Sequence, residues 1–460
     1  MSRRPLHFGT DGLRGVANLG MLAPEKVLAL GRALGRYACR SGNDGGPGRR
    51  VVLARDPRRS SPLIAAALAA GATSEGADLL DLGVLPTPAL AALLPDLDAG
   101  VGVMVSASHN PMQDNGIKVL DGDGGKLADA DELWLERQLE RPPADPPTGP
   151  RVGGMVPLGD GLERYLSHLC EQFQGLDLSG LSIVVDGANG ASSLAGPRLF
   201  ERLGARVHAI CCDPDGININ DGCGAVHPER MAAEVVARGA DLGVALDGDG
   251  DRAILAGADG SIQDGDSLLY VIGRQLLEQG RLADQVVVGT VMSNFGLELA
   301  LSELGARLER TPVGDRHVAA ALREHGWSLG GEPSGHLIFG SENRFIGDGL
   351  FSALKALAAM RSRQLPLHEL SRGLKPVPQV LINIQVAEKP AIESLPSIAA
   401  LIARAESELE GRGRLLVRYS GTEDLLRVMV EGQDDGQVRR VASEIATLVR
   451  EEIGVKRLAE

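Results

Sequence analysis

The chain has 460 residues, more than one hydrophobic core usually serves, and its 43% hydrophobic and 23% charged residues predict several globular domains. Its 61 acidic side chains outnumber its 47 basic ones, giving a net charge of −14, and aromatic residues make up only 3%. This composition argues against nucleic acid or an anionic membrane as a partner.

The amino terminus, MSRRPLHFGTDGLRG, lacks the apolar segment of a signal peptide, and the apolar stretch from Leu63 to Ala72 is too short to cross a bilayer. We therefore expect a cytoplasmic protein with reduced thiols. Its five cysteines include no CxxC pair and predict neither a disulfide framework nor a zinc site. The adjacent Cys211 and Cys212 are predicted to lie in a strand.

The first part of the chain repeats one unit, an apolar β-branched run followed by a polar loop and an amphipathic helix. Strands are predicted at 50–56, 78–83 and 100–105, and helices at 60–72 and 87–94. The third strand leads directly into the loop SASHNP. A Pro-rich stretch at 141–150 then predicts a loop or linker near a domain boundary.

Two further rounds of this pattern follow. The predicted elements of the second round are strands at 181–186, 206–211 and 241–246 and a helix at 194–203. Those of the third are strands at 285–290 and 308–311 and helices at 297–304 and 351–360. Alternating strands and helices predict α/β layers with largely parallel strands.

The pattern changes after Pro378. Strands are then predicted at 379–386, 415–419 and 426–431, with helices at 397–409 and 438–451, an order that indicates a small antiparallel sheet. The sequence therefore predicts an α/β protein of four domains: three similar mixed-sheet α/β domains and a smaller C-terminal α+β domain. The predicted domains span 1–153, 154–257, 258–373 and 374–460.

The loop SASHNP places hydroxyls, an imidazole and an amide in one turn after an apolar strand. Ser108 is a candidate nucleophile, with His109 beside it, although a plain Ser/Asn turn is equally consistent with this motif alone. The loop is not a GxSxG elbow, so acyl transfer has no support.

The loop DGDGDR follows another apolar strand and carries Asp247, Asp249 and Asp251 at alternate positions. The intervening glycines allow the three carboxylates to converge, and such a trio requires a hard cation, Mg²⁺ or Mn²⁺. An EF-hand is excluded because Arg252 stands where its loop glycine belongs. A solvated acidic turn is the less favoured alternative.

Three more loops carry polar chemistry. In GEPSGH, Glu332 and Ser334 can bind sugar hydroxyls and His336 can donate or accept a proton, although a polar turn would look the same. In RYSGTE, Arg418 and Ser420, with Arg427 nearby, suit a phosphate dianion, and surface arginines in salt bridges are the alternative. The amino-terminal FGTDGLRG surrounds Arg14 with glycines.

Taken together, a hydroxyl nucleophile, an acidic cation site, sugar-type hydrogen bonders and a phosphate loop predict phosphoryl transfer on a phosphosugar. A nucleotide donor is not indicated, because Gly125-Lys126 is followed by Leu127 rather than Ser or Thr and no GxGxxG opens a helix.

Over the whole chain and in the same order, these loops resemble those of the α-D-phosphohexomutases. The resemblance implies a phosphorylated Ser108 and one Mg²⁺ per active site, bound by Ser108 and the three aspartates. It implies Lys118 as the general base, with His109, Arg14 and His336 as helpers. The substrate-binding residues that it implies are Arg252, Glu332, Ser334, Arg418, Ser420, Gly421, Thr422 and Arg427.

Within that family, the forms FGTDGLRG, GGE-SGH and SGTE followed by RVMVEG are most similar to the branch that interconverts glucosamine 6-phosphate and glucosamine 1-phosphate. The resemblance thus implies a 1,6-bisphosphate intermediate, glucose or glucosamine 1,6-bisphosphate as activator, a homodimer, and a role in UDP-N-acetylglucosamine supply. The glucose and mannose phosphate branch is the alternative. The residues also leave open a haloacid-dehalogenase-type enzyme that uses Asp247 as nucleophile, and a phosphosugar-binding protein without activity.

Overall fold

The computed structural model describes residues 12–41, 48–141, 145–420 and 424–453. The chain divides into two compact units, of which the first comprises Met1–Thr290 with Thr311–Ser371 and the second Val291–Arg310 with Arg372–Glu460. Among the described helices, none combines the length and the apolar character that a membrane span requires.

The first sheet has six strands in the order β1-β5-β4-β2-β3-β6. Its strands are β1 Leu13–Val16, β2 Arg50–Arg55, β3 Asp78–Val84, β4 Val101–Val105, β5 Asp114–Asp121 and β6 Met155–Pro157. Its helices are α1 Pro24–Ser41, α2 Ser61–Ser74, α3 Thr87–Leu93 and α4 Asp129–Leu139. β5, which the sequence did not predict, is antiparallel to β1 and β4 and carries Lys118. β6 is parallel to β3 and extends this sheet past residue 153.

The second sheet has the order β11-β10-β9-β7-β8. Its strands are β7 Ser182–Asp186, β8 Arg206–Ile210, β9 Leu242–Leu246, β10 Ala253–Gly257 and β11 Ile262–Gln263, and its helices are α5 Gly161–Gln172, α6 Ala195–Arg202 and α7 Glu229–Arg238. β7 is parallel to both β8 and β9, so the loops that follow these three strands meet at one edge. The prediction that Cys211 and Cys212 lie in a strand is wrong, because β8 ends at Ile210.

The third round contains β12 Val286–Thr290, β13 Arg307–Thr311, β14 Leu329–Gly331 and β15 Leu337–Phe339. Its helices are α8 Gly265–Glu278, α9 Phe295–Glu303, α10 Asp315–His325, α11 Gly349–Arg363 and α12 Leu367–Leu370. β12 is parallel to β14, and β15 turns back antiparallel to β14, which places Gly331–His336 in the turn between them. Asp348 caps α11 by accepting a hydrogen bond from the backbone N–H of Phe351 at 3.0 Å.

The last sheet is antiparallel, with the order β16-β18-β17. Its elements are β16 Gln379–Gln385, α13 Pro396–Leu409, β17 Gly413–Tyr419, β18 Leu425–Gly432 and α14 Asp435–Ile453. The buried face of α14 is made by Val438, Val441, Ile445 and Val449, three or four residues apart, and packs with Val428 and Val430. Three mixed α/β domains and a smaller C-terminal domain were predicted, and that fold class is confirmed.

Candidate active site

Ser108 lies at the centre of the loop that follows β4, and its side chain is buried. Its backbone is left-handed, with φ of 53°, which is uncommon for a residue other than glycine and is found most often at functional sites. Its hydroxyl donates to Oδ2 of Asp247 at 2.6 Å. The Nδ1 atom of His109 is 3.3 Å from the same hydroxyl.

A buried arginine holds the shape of this loop. The guanidinium of Arg58 donates to the carbonyl oxygens of Ser108 and Asn110, both at 2.9 Å, and to those of Pro111 at 2.5 Å and Asp114 at 3.1 Å. Its Nε donates to Asp56 at 2.8 Å. A fully buried guanidinium is stable only when its charge is paired and its N–H groups are hydrogen-bonded. Here Asp56 pairs the charge, and backbone carbonyl oxygens of the serine loop accept most of the hydrogen bonds.

A second support comes from the segment after β8. The side-chain amide of the buried Asn220 donates to the carbonyl oxygens of Ser108 at 2.9 Å and Asn110 at 3.1 Å. The serine loop is therefore held through its backbone from two directions, by a residue before it and a residue more than a hundred positions after it.

Asp247, Asp249 and Asp251 follow β9 and are buried, each offering a carboxylate oxygen within 4.8 Å of the others. Burial, and then the charges of Asp251 and Asp249, raise the pKa of Asp247 to about 8. The intervening Gly248 is required by space, since a Cβ there would collide with the carbonyl oxygen of Ser108.

The three aspartates fit a hard cation. Among the described residues, Oδ1 of Asp249 is buried and has no hydrogen-bond partner. Buried carboxylate oxygens are costly when unsatisfied, and an all-oxygen donor set is the one that Mg²⁺ prefers. The predicted metal cluster is thus brought together, with the Ser108 hydroxyl beside it.

Cationic groups surround this acidic cluster. Lys118 bridges Asp249 and Asp251 at 2.6 and 2.9 Å, and Thr87 donates to Asp249 at 2.5 Å. The Nε of Arg252 is 3.7 Å from Asp251. Although burial opposes it, Lys118 and His336 hold the pKa of Asp251 well below its usual range, so this carboxylate keeps its charge.

The two histidines of the site differ in charge. Burial alone would lower the pKa of His336, but Asp251, 3.5 Å away, and Asp315 raise it to about 9, so the ring is cationic at neutral pH. Burial, and then the charges of Arg252 and Arg14, lower the pKa of His109 to about 4, so this ring is neutral. His109 can accept a proton at neutral pH, and His336 cannot.

The amino-terminal loop contributes Arg14 on β1. Its Nη1 lies 3.5 Å from Oδ1 of Asn110, which places the guanidinium at the serine loop. Residues 8–11 of the motif lie outside the described residues.

The sugar-type loop between β14 and β15 lies in the same unit as these groups. Glu332 accepts a hydrogen bond from the backbone N–H of Gly314 at 3.0 Å, and Ser334 is exposed. A cavity of about 470 Å³ opens beside Lys118, Asp251 and His336, a size that suits a hexose phosphate.

In the second unit, the antiparallel register places Arg418 opposite Arg427 on β17 and β18. The buried Ser420 follows β17, and Lys389 donates to its carbonyl oxygen at 3.1 Å. Gly421 and Thr422 lie outside the described residues. Two arginines and a lysine at one turn are compatible with an anion-binding loop.

Sequence reasoning missed four of these residues, namely Arg58, Thr87, Asn220 and Lys389. None belongs to a recognisable motif. For two of them, position along the chain could have indicated a site residue. Thr87 comes just after β3, and Arg58 lies in the polar segment after β2.

Four family models match the chain: phosphoglucomutase/phosphomannomutase alpha/beta/alpha domain I at residues 5–144, domain II at 163–260, domain III at 264–377, and the C-terminal domain at 381–448. A phosphoglucosamine mutase of Anaeromyxobacter sp. (strain Fw109-5) is 47% identical over 454 residues, covering 97% of this chain and 96% of the relative. One of Mycobacterium marinum is 47% identical, covering 96% and 98%.

Solved structures have the same fold. A phosphoglucomutase/phosphomannomutase family protein from Burkholderia thailandensis matches with a TM-score of 0.79 and 25% identity over 98% of both chains. Aspergillus fumigatus N-acetylphosphoglucosamine mutase in complex with GlcNAc-6P and magnesium matches with a TM-score of 0.65 and 18% identity over 96% of this chain and 95% of that one.

Proposed function

Because the chain belongs to the phosphoglucomutase/phosphomannomutase family, we propose that it is a phosphoglucosamine mutase, interconverting glucosamine 6-phosphate and glucosamine 1-phosphate. The observation that carries the proposal is the 2.6 Å hydrogen bond from the Ser108 hydroxyl to Asp247, inside a converging aspartate trio. The relatives named phosphoglucosamine mutase, at up to 47% identity, support the choice of glucosamine over glucose or mannose.

Ser108 is the proposed phosphoryl carrier. In the first half-reaction the free hydroxyl of the sugar attacks the phosphorus of phospho-Ser108, so that the new sugar O–P bond forms while the serine O–P bond breaks. The product is a 1,6-bisphosphate, which turns over in the site and returns its other phosphoryl group to Ser108. The left-handed backbone and the contacts of Arg58 and Asn220 keep the serine oxygen at one position through both transfers.

Asp247, Asp249 and Asp251, together with the oxygen on Ser108, would hold one Mg²⁺. When bound, Mg²⁺ offsets the negative charge that develops on the transferring phosphoryl group. The chain supplies further positive charge from the cationic His336 and from Arg252. These groups lie in a largely buried site, where electrostatic stabilisation is strong.

We assign proton transfer to two groups. Lys118 is the proposed base for the sugar hydroxyl, a role that requires its ammonium to give up the proton that it now shares with Asp249 and Asp251. The neutral His109, 3.3 Å from the Ser108 oxygen, can take the serine proton when the bare hydroxyl accepts a phosphoryl group. Arg14 orients the loop that carries both Ser108 and His109.

Recognition of the substrate is assigned to two loops. Glu332 and Ser334 would bind sugar hydroxyls that are equivalent in both orientations of the intermediate. Arg418, Ser420, Gly421, Thr422 and Arg427 would bind the phosphate that the sugar carries. We further propose a cytoplasmic homodimer, activated by glucose or glucosamine 1,6-bisphosphate, that supplies UDP-N-acetylglucosamine synthesis.

The test follows glucosamine 6-phosphate, glucose 6-phosphate and mannose 6-phosphate separately by phosphorus NMR, with Mg²⁺ and a trace of glucose 1,6-bisphosphate. We expect glucosamine 1-phosphate to form fastest and Ser108→Ala to be inactive. Ser302→Ala, which changes an exposed serine on α9, is the matched control and should behave like the parent.

Faster isomerisation of glucose or mannose phosphate would keep the mechanism and reassign the substrate. An active Ser108→Ala enzyme would contradict the phosphoserine mechanism. A phosphorylated enzyme cleaved by hydroxylamine would instead point to an aspartyl phosphate at Asp247, as in the haloacid-dehalogenase alternative.

A further inference from the structure

A second cluster of metal-ligating side chains lies in the same domain as the aspartate trio and has no part in the proposed reaction. It consists of Asp186, Cys211 and Cys223, each of which offers a ligand atom within 4.8 Å of the others. Cys211 and Cys223 are twelve positions apart, with no CxxC spacing, so only the fold brings them together.

The backbone fixes each of the three residues. Asp186 ends β7 and pairs in register with Ile210, the last residue of β8, so that Cys211 begins the loop directly beside it. Cys223 immediately precedes a short 3-10 helix at Gly224–Val226. The backbone N–H of Gly224 donates to Oδ2 of Asp186 at 3.0 Å, which ties the end of this segment to the end of the strand.

The Asp186 carboxylate is held rigidly before any ligand arrives. It is fully buried, and its two oxygens accept backbone N–H bonds from Ala188 at 2.9 Å and from Gly224. A carboxylate oxygen has more than one acceptor direction, so each oxygen can still bind a cation. Cys223 is also fully buried, whereas Cys211 is half-buried and offers a path from solvent.

The donor types select the ion. Two thiols and one carboxylate form a softer set than three carboxylates, and thiolate sulfur favours Zn²⁺ and similar cations over Mg²⁺. The spacing also suits a tetrahedral ion, since two sulfurs bound at about 2.3 Å lie about 3.8 Å from each other, inside the 4.8 Å that separates the three ligand atoms at most. Three protein ligands would leave one position for water on the Cys211 side.

We propose that Asp186, Cys211 and Cys223 form a binding site for one thiophilic divalent cation of the Zn²⁺ class, separate from the aspartate trio. Binding exchanges the two thiol protons for the cation and releases both protons to solvent, which balances the step without any oxidant.

The adjacent Cys212 provides a matched control. Its Sγ lies 3.8 Å from the carbonyl oxygen of Val185 and is not among the three converging ligand atoms. Cys212→Ser therefore changes a thiol in the same loop without removing a proposed ligand. Cys170→Ser, on α5, changes a thiol outside the loop.

The experiment titrates the full-length, reduced protein with Cd²⁺ in excess Mg²⁺ and follows the ultraviolet thiolate-to-cadmium absorption. We expect saturation at one Cd²⁺ per chain in the parent, in Cys212→Ser and in Cys170→Ser. Cys211→Ser should lose the absorption or weaken binding about tenfold or more, and Asp186→Asn should weaken binding by a similar factor while keeping both thiolates. Because Cys211 is half-buried, its variant tests the proposal even if Cys223→Ser fails to fold.

Three outcomes would overturn the proposal. One is a parent protein with no thiolate absorption, and another is full Cd²⁺ binding by Cys211→Ser. The third is a disulfide between Cys211 and Cys223, identified by peptide mass mapping of the protein purified without reductant. None of these outcomes depends on the mutase assay, so the two proposals fail independently.

Discussion

The second sheet carries two clusters of potential ligands at one edge, and they differ in donor chemistry. Asp247, Asp249 and Asp251 follow β9, whereas Asp186 ends β7 and Cys211 follows β8. The aspartate trio converges within a single loop, whereas the register of β7 with β8 brings Asp186 beside Cys211. The donors then decide which ion suits each cluster: three carboxylates favour Mg²⁺, and two thiols with one carboxylate favour Zn²⁺.

The surroundings of the two clusters differ as well. The aspartate trio is faced by Lys118, Arg252 and the cationic His336, all close enough to change its charge. Around the thiol cluster, burial raises the pKa of all three proposed ligands, and the charge of the exposed Arg230 offsets only part of that rise. The aspartate trio is therefore surrounded by cationic groups, whereas no ion pair among the described residues bridges the thiol cluster in this way.

The largest expected contrast is between Asp247→Asn and Asp186→Asn. The first removes charge from the proposed Mg²⁺ site beside Ser108 and should lower kcat by about 10³-fold. The second should lower it far less, because the hydrogen bonds described for Asp186 come from the backbone of Ala188 and Gly224. Steady-state kinetics of both variants, with circular dichroism as a check on folding, measures the contrast. Equal losses would mean that the two clusters are not functionally separate.

Gly248→Ala should disturb the serine loop beside the aspartate trio more than it disturbs the thiol cluster, because of a steric clash. The new Cβ would push against the carbonyl oxygen of Ser108 and displace the serine loop, so kcat should fall by about 10²-fold. Cd²⁺ binding by the thiol cluster should change much less, because the new Cβ meets Asn220, three positions before Cys223, only at the end of its side chain, 3.0 Å away. Gly159→Ala, at an exposed position with open space around it, is the control and should match the parent in both assays.

Asn220→Ala should affect both clusters. Asn220 donates to the serine loop and lies three positions before Cys223, so its loss loosens the segment between the two sites. We expect a loss of about 1–3 kcal/mol in the free energy of unfolding and a fall of about tenfold in kcat, measured by denaturant titration and kinetics. Asn218→Ala, whose amide bonds only within its own exposed loop, should cost much less; a similar cost would assign the effect to the loop alone.

A pH dependence of stability is expected at His109, with no effect on either cluster at neutral pH. The folded pKa of about 4 lies below the ordinary value of about 6.5, so the unfolded chain binds the extra proton between these two values. As pH falls from about 6.5 to about 4, the parent should therefore lose stability relative to His109→Gln. Melting temperatures across that range measure the difference, and a constant difference would contradict it.

The sequence allowed the aspartate trio and Ser108 to be predicted because each sits in a compact motif directly after an apolar strand. Alternate acidic residues separated by glycines have few other physical explanations. The thiol cluster could not be predicted in the same way, since Cys211 and Cys223 carry no motif spacing and meet only through the register of β7 with β8. The expectation of no zinc site came from local spacing alone.

The two residues that hold the serine loop, Arg58 and Asn220, could not be predicted from the sequence either. Arg58 and Asn220 act on carbonyl oxygens, and a backbone contact of this kind leaves no pattern in the residues contacted. Lys118 was proposed from the family resemblance, but the strand that carries it, β5, was not predicted. Its neighbours Asn115 and Gly116 disfavour a strand in isolation, and pairing with β1 and β4 overrides that preference.

The contacts of Arg58 and Asn220 also determine when the serine loop can take its shape during synthesis. Arg58 precedes Ser108 by fifty residues, and Asn220 follows it by 112. In a nascent chain, Arg58 can bind the serine loop as soon as the first β–α units fold. The hydrogen bonds from Asn220 can form only after the following domain has left the ribosome and folded. The proposed phosphoryl transfer to Ser108 would thereby depend on completion of the neighbouring domain, and a prematurely terminated chain would have an incompletely formed serine loop.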